Sequence, residues 1–331
     1  MTLTMEQLTA LFTNCTGART VGGRFTEPLR FSAAQDAHYD KAGFGTRAHC
    51  TAGIALDFTY DGELVAFDYI FTGCTSRVWF TIDLYADGVM LYTLNTVSTG
   101  EGQTHFEYRF AEKKPRRVQI YLPYTCGIAL AGFTVDDGAA VTPTDRSGAK
   151  KLLLLGDSIT HGSDARYTSR CYATLVGQHF DAVALNQGVG GYFFDERVID
   201  EALDFRPDAV TVAYGTNDWG RHRADADGYR AAAKAYIDKL CRTYPDVPIF
   251  GILPLWRTAE VLHPDWMPFA DIYTILGELY GAHDNVTVVN GRSIVPNLRE
   301  YYSDGLHPNT MGQEAYARGV VLAMEHAGFT K

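Results

Sequence analysis

The second half of the chain alternates short apolar runs with longer amphipathic segments, and this alternation constrains the fold more than any other feature. Five runs have the length and composition of buried strands: KLLLLG, AVALNQG, AVTVAYG, PIFGILPL and VTVVNG. The segments between them predict helices near residues 167–180, 195–204, 226–243 and 265–282, and a last helix after Pro308. Strands that alternate with helices form a parallel sheet covered on both faces. The sequence therefore predicts a three-layer, doubly wound α/β/α domain with five parallel strands.

The first half has a different rhythm. From about residue 18 to 138, short aromatic and β-branched segments are separated by turn signals such as Asp61-Gly62 and Asp137-Gly138. This pattern predicts a β-sandwich of jelly-roll type. The segment AAVTPTDRSGAKK joins the halves and has the composition of a linker. We therefore predict a β-sandwich domain over residues 1–147 and an α/β domain over residues 148–331.

Charge and composition exclude several classes of partner. The net charge of −10 argues against binding to nucleic acid or to an anionic membrane surface, since both attract basic patches. No apolar run approaches the roughly 20 residues of a membrane span. The first residues, MTLTMEQLTALF, lack the pattern of a secretory signal. The six cysteines are scattered along the sequence, which predicts reduced thiols. We therefore expect a cytoplasmic protein, and secretion stays open if a signal peptide has been trimmed. The sequence makes no prediction of oligomeric state.

Polar or glycine-rich turns follow four of the predicted parallel strands. They are Gly156-Asp157-Ser158, NQGVGG, GTNDW and PLWR. In open parallel sheets, ligands bind beyond the carboxyl ends of the strands. The sequence therefore predicts that the functional groups of this protein meet at one edge of the sheet.

Ser158 is the candidate nucleophile at this edge, and a serine needs a neighbouring base. His307 follows the last strand and therefore returns to the same edge, and Asp304 lies three residues before it. That spacing allows the carboxylate to accept a hydrogen bond from one ring nitrogen while the other ring nitrogen faces the serine. His161 is the rival base, although it lies close to Ser158 in sequence. We expect His161 to act in a supporting or substrate-contacting position instead.

Acyl transfer also needs hydrogen-bond donors for a developing oxyanion. Asn217 in YGTNDWG offers a side-chain amide, and the glycines of GVGG allow a backbone N–H to approach closely. Either Gly190 or Gly191 can supply that backbone donor. The sequence carries no metal-ligand spacing and no phosphate-binding loop, and position 193 is Phe where a dinucleotide fingerprint needs Gly. We therefore expect no cofactor and no metal.

The ordered set GDSIT, GVGG, GTND and DGLHP resembles the four sequence blocks of the SGNH (GDSL-like) hydrolases. The resemblance covers residues 151 to 327 and implies an ester-hydrolysing α/β/α domain without a cofactor. It implies that Ser158 is the nucleophile, that His307 is the general base and then the acid, and that Asp304 orients His307. It also implies three oxyanion donors, namely the Ser158 N–H, the Asn217 side chain and the Gly191 N–H.

The first half is similar to the β-domain of two-domain bacterial carbohydrate esterases and acylhydrolases, on the segments TIDLYADGVMLY and IYLPYTCGIALAGFTVDDGA. This similarity implies a serine esterase that removes short acyl groups, acetyl above all, from oligosaccharides or other small-molecule esters. Tyr192, Trp219 and Trp256 are candidates for stacking on a sugar ring. The alternatives are a lysophospholipase, an acyl-thioesterase and an inactive glycan-binding protein.

Overall fold

The computed structural model describes residues 1–98, 103–261 and 263–331. Residues before Lys151 form short strands that pair in an antiparallel manner. These strands are β1 (Phe12–Thr13), β2 (Gly17–Val21), β3 (Phe25–Leu29), β4 (Ala55–Tyr60), β5 (Leu64–Cys74), β6 (Trp79–Ala86), β7 (Val89–Val97), β8 (Gln103–Arg109), β9 (Arg116–Tyr121), β10 (Cys126–Val135) and β11 (Val141–Pro143).

The eleven strands form two antiparallel sheets that face each other across one apolar core. One sheet has the order β1-β4-β9-β6-β7 with β11 added to β4, and the other has the order β2-β3-β10-β5-β8. Phe58 and Ile82 from the first sheet share a buried cluster with Phe67 and Leu130 from the second. Alternate residues of most of these strands fill this core, as period-two patterning predicts, whereas Val21 of β2 and Phe25 of β3 belong to a separate small cluster. The assignment to the jelly-roll type stays a prediction.

The second half forms a five-stranded parallel sheet, as the sequence predicts. Its strands are β12 (Lys151–Gly156), β13 (Val183–Gly188), β14 (Ala209–Ala213), β15 (Ile249–Ile252) and β16 (Val286–Val289), in the order β13-β12-β14-β15-β16. Leu153 and Leu155 belong to the apolar cluster on one face, and Leu152 and Leu154 belong to the cluster on the other. The run of four leucines is therefore a strand that is buried on both faces.

Helices cover both faces of the parallel sheet, and three short helices belong to the first half. The α-helices of the described residues are α1 (Met5–Ala10), α2 (Ala33–Lys41), α3 (Gly45–Ala48), α4 (Ser158–His161), α5 (Tyr172–His179), α6 (Thr216–His222), α7 (Ala226–Thr243), α8 (Phe269–Gly281), α9 (Gly291–Ile294) and α10 (Thr310–His326). Short 3-10 turns lie at Thr168–Arg170, Glu196–Val198, Thr258–Val261 and Arg299–Tyr301. Among the residues described, no helix combines the length and the apolar character that crossing a membrane requires.

The prediction of a helix near residues 195–204 is wrong. Only Glu196–Val198 forms a helical turn, and Ile199 already has an extended backbone with ψ of 105°. Gln35 donates to the Val198 carbonyl at 2.7 Å, so this oxygen is bonded to the first half of the chain. Val198, Ile199 and Leu203 are buried, so these apolar side chains face the interior, but from a backbone that is not helical after Val198. Helix α8 also begins later than predicted, because Pro268 disfavours a helical backbone at the preceding residue.

The two halves share a buried polar interface centred on Arg30. This side chain is 2% exposed, and its guanidinium donates only to backbone carbonyls. The acceptors come from both halves: Cys50, Arg47 and Ala48 from the first, and Asn186 and Gly188 from the second, at 2.7 to 3.0 Å. Burial lowers the pKa of Arg30 to about 10, so the group stays charged near neutral pH. The interface thus ties the turn after β13 to the β-domain.

Candidate active site

Ser158 lies where β12 ends and the short helix α4 begins, at the carboxyl edge of the parallel sheet. Asp157 caps this helix, and its Oδ1 accepts a hydrogen bond from the Ile159 N–H at 2.9 Å. The cap fixes the backbone on both sides of the serine because it satisfies an N–H that the helix start leaves unpaired. The Ser158 side chain is therefore presented at the edge by a rigid turn.

Ser158, His307 and Asp304 form one continuous chain of hydrogen bonds. The His307 Nδ1 lies 2.7 Å from Asp304 Oδ2, and the His307 Nε2 lies 2.9 Å from Ser158 Oγ. A carboxylate only accepts, so Nδ1 donates to Asp304, and the neutral ring leaves Nε2 to accept from the serine hydroxyl. Burial opposes ionisation of Asp304, but the hydrogen bonds from His307 outweigh it and hold the pKa of this carboxyl well below its usual value. Asp304 is thus an acceptor throughout the neutral range.

A second carboxylate, Asp164, lies near the same imidazole. Its Oδ2 is 3.8 Å from His307 Nδ1, and Arg77 of the β-domain donates to both of its oxygens at 2.9 and 3.3 Å. Asp164, Asp304 and His307 bring metal-ligand atoms within 4.8 Å of one another. Each of the three is already held, since Arg77 pairs with Asp164 and His307 bonds to Asp304. A metal ion would have to break the His307–Asp304 bond, so the donor set does not fit a metal centre.

Asn217 and the glycine turn after β13 lie beside Ser158. One Asn217 Nδ2 hydrogen bond goes to the Tyr192 carbonyl at 2.9 Å, and its weaker contact to Asp157 Oδ2 is 3.5 Å long. The Gly190 N–H donates to His161 Nδ1 at 3.1 Å, whereas the Gly191 N–H has no hydrogen-bond partner among the described residues. Gly191 has φ of +77°, a conformation that favours glycine. The geometry therefore favours Gly191 over Gly190 as the backbone donor.

His161 is a neutral structural group in this site. Its Nε2 donates to the Tyr124 carbonyl at 2.7 Å, and its Nδ1 accepts from Gly190. Burial, with a further contribution from the nearby Arg30, lowers the pKa of His161 to about 3. Both ring nitrogens are occupied, so His161 has no lone pair free to act as base. It links the glycine turn to the β-domain.

A cavity of about 210 Å³ opens over Ser158, and both halves of the chain line it. The second half contributes Ser158, His161, Ser163, Gly190, Gly191, Asn217, Leu306 and His307, and the β-domain contributes Arg47, Thr75, Ser76, Arg77 and Tyr124. Sequence reasoning did not find the β-domain residues. No local motif marks them, because they reach the site only through the packing of one domain on the other.

A comparison with known protein families matches part of the second half of the chain. The family model of the GDSL-like Lipase/Acylhydrolase family matches residues 154–315. This segment is a GDSL-like lipase/acylhydrolase domain. A search of curated protein sequences found no significant match.

Solved structures resemble the GDSL-like domain and the β-domain together. A salicylyl-acyltransferase from a tetracycline biosynthetic pathway has a TM-score of 0.81 at 18% identity, over 96% of this chain and 94% of that one. A Bacteroides ovatus protein assigned as a GDSL-like lipase has a TM-score of 0.76 at 16% identity, over 100% and 99% of the two chains. A family two carbohydrate esterase from Clostridium thermocellum, solved with cellohexaose, has a TM-score of 0.65 at 15% identity, over 84% and 94%. At these identities the likeness concerns the fold alone.

The three aromatic residues predicted to stack on a sugar do not line the cavity over Ser158. Tyr192 is fully buried, and its hydroxyl donates to Asp195 at 2.8 Å. Trp219 is 1% exposed and donates from Nε1 to the Met267 carbonyl at 2.7 Å. Trp256 is half-buried and packs against Tyr302 at 5.7 Å between ring centroids. The prediction of a stacking role is therefore wrong for Tyr192 and Trp219 and finds no support for Trp256.

Two buried carboxyls, Asp157 and Asp218, lie next to Ser158 and Asn217 in the sequence. Burial raises the pKa of Asp157 to about 6 and the pKa of Asp218 to about 7. Asp218 Oδ1 accepts from the Phe194 N–H at 2.9 Å, which holds the segment that follows the glycine turn. Both residues occupy motif positions, in GDSIT and GTND, so the sequence carried a signal for them that residue-type reasoning did not use.

Proposed function

We propose that the protein is a serine esterase that removes short acyl groups, acetyl above all, from carbohydrate through an acyl-enzyme. The observation that carries the proposal is the hydrogen-bonded chain from Ser158 through His307 to Asp304 at the floor of a cavity. Serine becomes a nucleophile when a neighbouring base accepts its proton, and this chain supplies the base and the group that orients it.

In the first half-reaction, Ser158 Oγ bonds to the ester carbonyl carbon while the hydroxyl proton passes to His307 Nε2. The carbonyl oxygen becomes an oxyanion next to the Ser158 N–H, the Gly191 N–H and the Asn217 amide. The bond between the carbon and the sugar oxygen then breaks, and the sugar oxygen takes the proton from Nε2. Asp304 accepts from Nδ1 throughout and stabilises the imidazolium.

In the second half-reaction, water replaces the sugar. His307 Nε2 takes a proton from the water as its oxygen bonds to the acyl carbon, and the same proton returns to Ser158 Oγ as the acid leaves. The two half-reactions balance without any group beyond the protein, the ester and water.

The shape of the cavity supports a short acyl group. Its volume of about 210 Å³ is smaller than the roughly 300–1,000 Å³ typical of pockets that enclose drug-sized ligands. Much of its wall is polar, with Thr75, Ser76 and Ser163 among the lining residues. A long acyl chain needs an apolar channel, so these features favour acetyl esters of a polar alcohol over a lysophospholipid. The cellohexaose complex of the Clostridium thermocellum esterase supports carbohydrate as that alcohol.

Acyl transfer to an alcohol is the second candidate. It uses the same acyl-enzyme, and only the group that attacks in the second half-reaction differs. The resemblance of both domains to a salicylyl-acyltransferase, over 96% of the chain, supports it.

Acetate release from a panel of acetylated oligosaccharides tests the proposal, with Ser158→Ala protein as the control. We expect release by the native protein and none above background by the variant. Mass analysis of the sugars distinguishes hydrolysis from transfer, since only transfer moves acetyl to an acceptor sugar. Absence of release, together with rates on p-nitrophenyl esters that rise with acyl chain length, would refute the proposal in favour of a lipase-like enzyme.

A further inference from the structure

The wall of the catalytic cavity carries an unusual balance of charge. The chain has 39 Asp and Glu residues against 29 Lys and Arg, yet the lining of this cavity includes two arginines, Arg47 and Arg77, and no carboxylate. A cavity whose lining had the charge composition of the whole chain would contain more carboxylates than basic groups. The two arginines therefore need separate explanations.

Arg77 is neutralised by its partner. It donates to both oxygens of Asp164 at 2.9 and 3.3 Å, and this pair joins the β-domain to the loop beside His307. Its charge is thus balanced within the protein.

Arg47 has no such partner. Among the residues that the structure describes, no carboxylate oxygen lies within 4 Å of its guanidinium. Its only side-chain hydrogen bond there runs from Nη1 to the Gly190 carbonyl at 3.1 Å. Most of its five N–H groups are therefore free to donate hydrogen bonds at the cavity wall. The guanidinium is a positive charge there without a carboxylate partner among the described residues.

Although Arg47 is exposed, its backbone and its guanidinium both have contacts that support their positions. Its backbone belongs to α3, and its carbonyl accepts from the buried Arg30 at 2.9 Å. The guanidinium lies over the Phe44 ring, 5.5 Å from its centroid. A Cβ built on Gly191 would lie 3.2 Å from Arg47 Nη1, so the guanidinium borders the backbone donor of the oxyanion site. The charge is prearranged next to the reacting carbonyl, which reduces the entropy lost when it binds an anion.

We propose that Arg47 forms an anion subsite and that the preferred substrates are esters carrying a carboxylate near the cleaved bond. This inference rests on the esterase function proposed above. A guanidinium pairs with a carboxylate through two parallel hydrogen bonds, which gives both affinity and orientation. The carboxylate can belong to the sugar, as in an acetylated uronic acid, or to the acyl group, as in a hemisuccinate.

Two matched pairs of substrates test the subsite and distinguish the two sources. The first pair is acetylated glucuronic acid and acetylated glucose, and the second is p-nitrophenyl hemisuccinate and p-nitrophenyl butyrate. We expect kcat/KM in one pair to favour the carboxylate ester by roughly 10- to 100-fold at low salt, the range of a charge-assisted hydrogen bond. That preference should shrink in 1 M salt, where the Debye length is about 3 Å.

The variants Arg47→Met and Arg47→Lys show whether Arg47 causes the preference for carboxylate esters. We expect Arg47→Met to bring the ratio of the two rates to roughly one and Arg47→Lys to keep part of the preference, because lysine retains the charge without the planar fork. The matched control is Arg109→Met, because Arg109 is exposed and lies outside the cavity lining. Among the described residues, its only ion pair and side-chain hydrogen bond are with Glu107. The ratio is measured within one protein, so a partly folded preparation does not distort it.

Three results would overturn the subsite: no carboxylate preference in either pair, a preference that survives Arg47→Met, or an equal loss in Arg109→Met. Hydrolysis of p-nitrophenyl acetate, with Ser158→Ala as control, separates this failure from that of the esterase function. If the native protein does not hydrolyse this neutral ester, the proposed function fails. If it does and the ratios equal one, only the subsite fails.

Discussion

The two walls of the cavity are held by different kinds of contact. On the GDSL-like side, Ser158, Gly191 and Asn217 follow three parallel strands and His307 returns to the same edge. The residues that we propose to react are therefore held by contacts within one domain, such as the Asp157 cap on Ile159. On the β-domain side, Arg47, Arg77 and Tyr124 bond to partners 143, 87 and 37 residues away in sequence. We call the first set of residues the chemical wall and the second set the β-domain wall. The chemical wall is assembled within one domain, although Ser158 and His307 are 149 residues apart in sequence, whereas the β-domain wall is held by bonds across the domain interface.

This difference separates two properties of the site. The groups that we propose to move protons lie at one edge of the parallel sheet, within a single domain. The groups that meet the rest of the substrate depend on how the β-domain packs. Specificity can therefore change through the interface while the Ser158–His307–Asp304 geometry stays the same.

The largest effect should come from the chemical wall. We expect Ser158→Ala and His307→Ala each to lower kcat by about 10⁴- to 10⁶-fold, because neither group works without the other. The double variant should lose no more than either single variant. Rates on p-nitrophenyl acetate, on samples whose folding is checked by circular dichroism, measure this; losses that multiply would mean that the two residues act independently.

The same division explains how far sequence reasoning reaches. Ser158, Asp304 and His307 could be predicted to meet, because apolar runs mark the strands and the turns that follow them must share one edge. Arg47 and Arg77 could not, because no periodicity encodes the packing of one domain on the other. The prediction for Tyr192 failed for a related reason: a residue at the correct edge can point inward, and the Tyr192 hydroxyl is held by Asp195 and by His38 of α2, which is 154 residues away in sequence. The non-helical segment after Asp195 likewise depends on Gln35 of the β-domain.

The second prediction concerns the interface that joins the walls. Arg30→Met leaves five buried carbonyls without a donor, so we expect the free energy of unfolding to fall by about 3–5 kcal/mol. Arg30→Lys should not rescue it, since an ammonium has three donors and cannot match five acceptors in a plane. Denaturant unfolding measures the change, with Arg24→Met, an exposed arginine, as the control. An equal loss in both variants would remove any special role of Arg30.

The third prediction returns to the chemical wall and separates binding from catalysis. Asn217→Ala removes the side-chain amide that we propose as an oxyanion donor, so kcat should fall by about 10²- to 10³-fold, some 2.7–4 kcal/mol, while KM changes little. The same amide donates to the Tyr192 carbonyl, so thermal unfolding of the variant serves as the structural control. A rise in KM with unchanged kcat would instead assign Asn217 to ground-state binding.

The smallest effect concerns the support beneath that wall and appears as a dependence of stability on pH. Asp218 is 1% exposed, and burial raises its pKa from the usual 3.8 to about 7. Between these values the folded protein holds a proton that the unfolded chain has lost. Stability therefore falls as pH rises through this window and levels off above it. Asp157, raised to about 6 by burial, acts in the same direction. Asp304, whose pKa is lowered, acts oppositely and loses its contribution only in more acidic solution.

Asp218→Asn isolates this contribution, because asparagine stays neutral and keeps an oxygen to accept from the Phe194 N–H. We expect the variant to be more stable than the native protein at pH 8 by about 1–2 kcal/mol, with a gain that shrinks towards pH 5. Urea unfolding at pH 5, 6, 7 and 8 measures it, and the exposed Asp204→Asn serves as control. A gain independent of pH would mean that charge at position 218 is not the cause. If the stability gain appears while kcat also falls, the ionised carboxylate contributes to the placement of Asn217 at a cost in stability, whereas Arg30 at the interface adds stability.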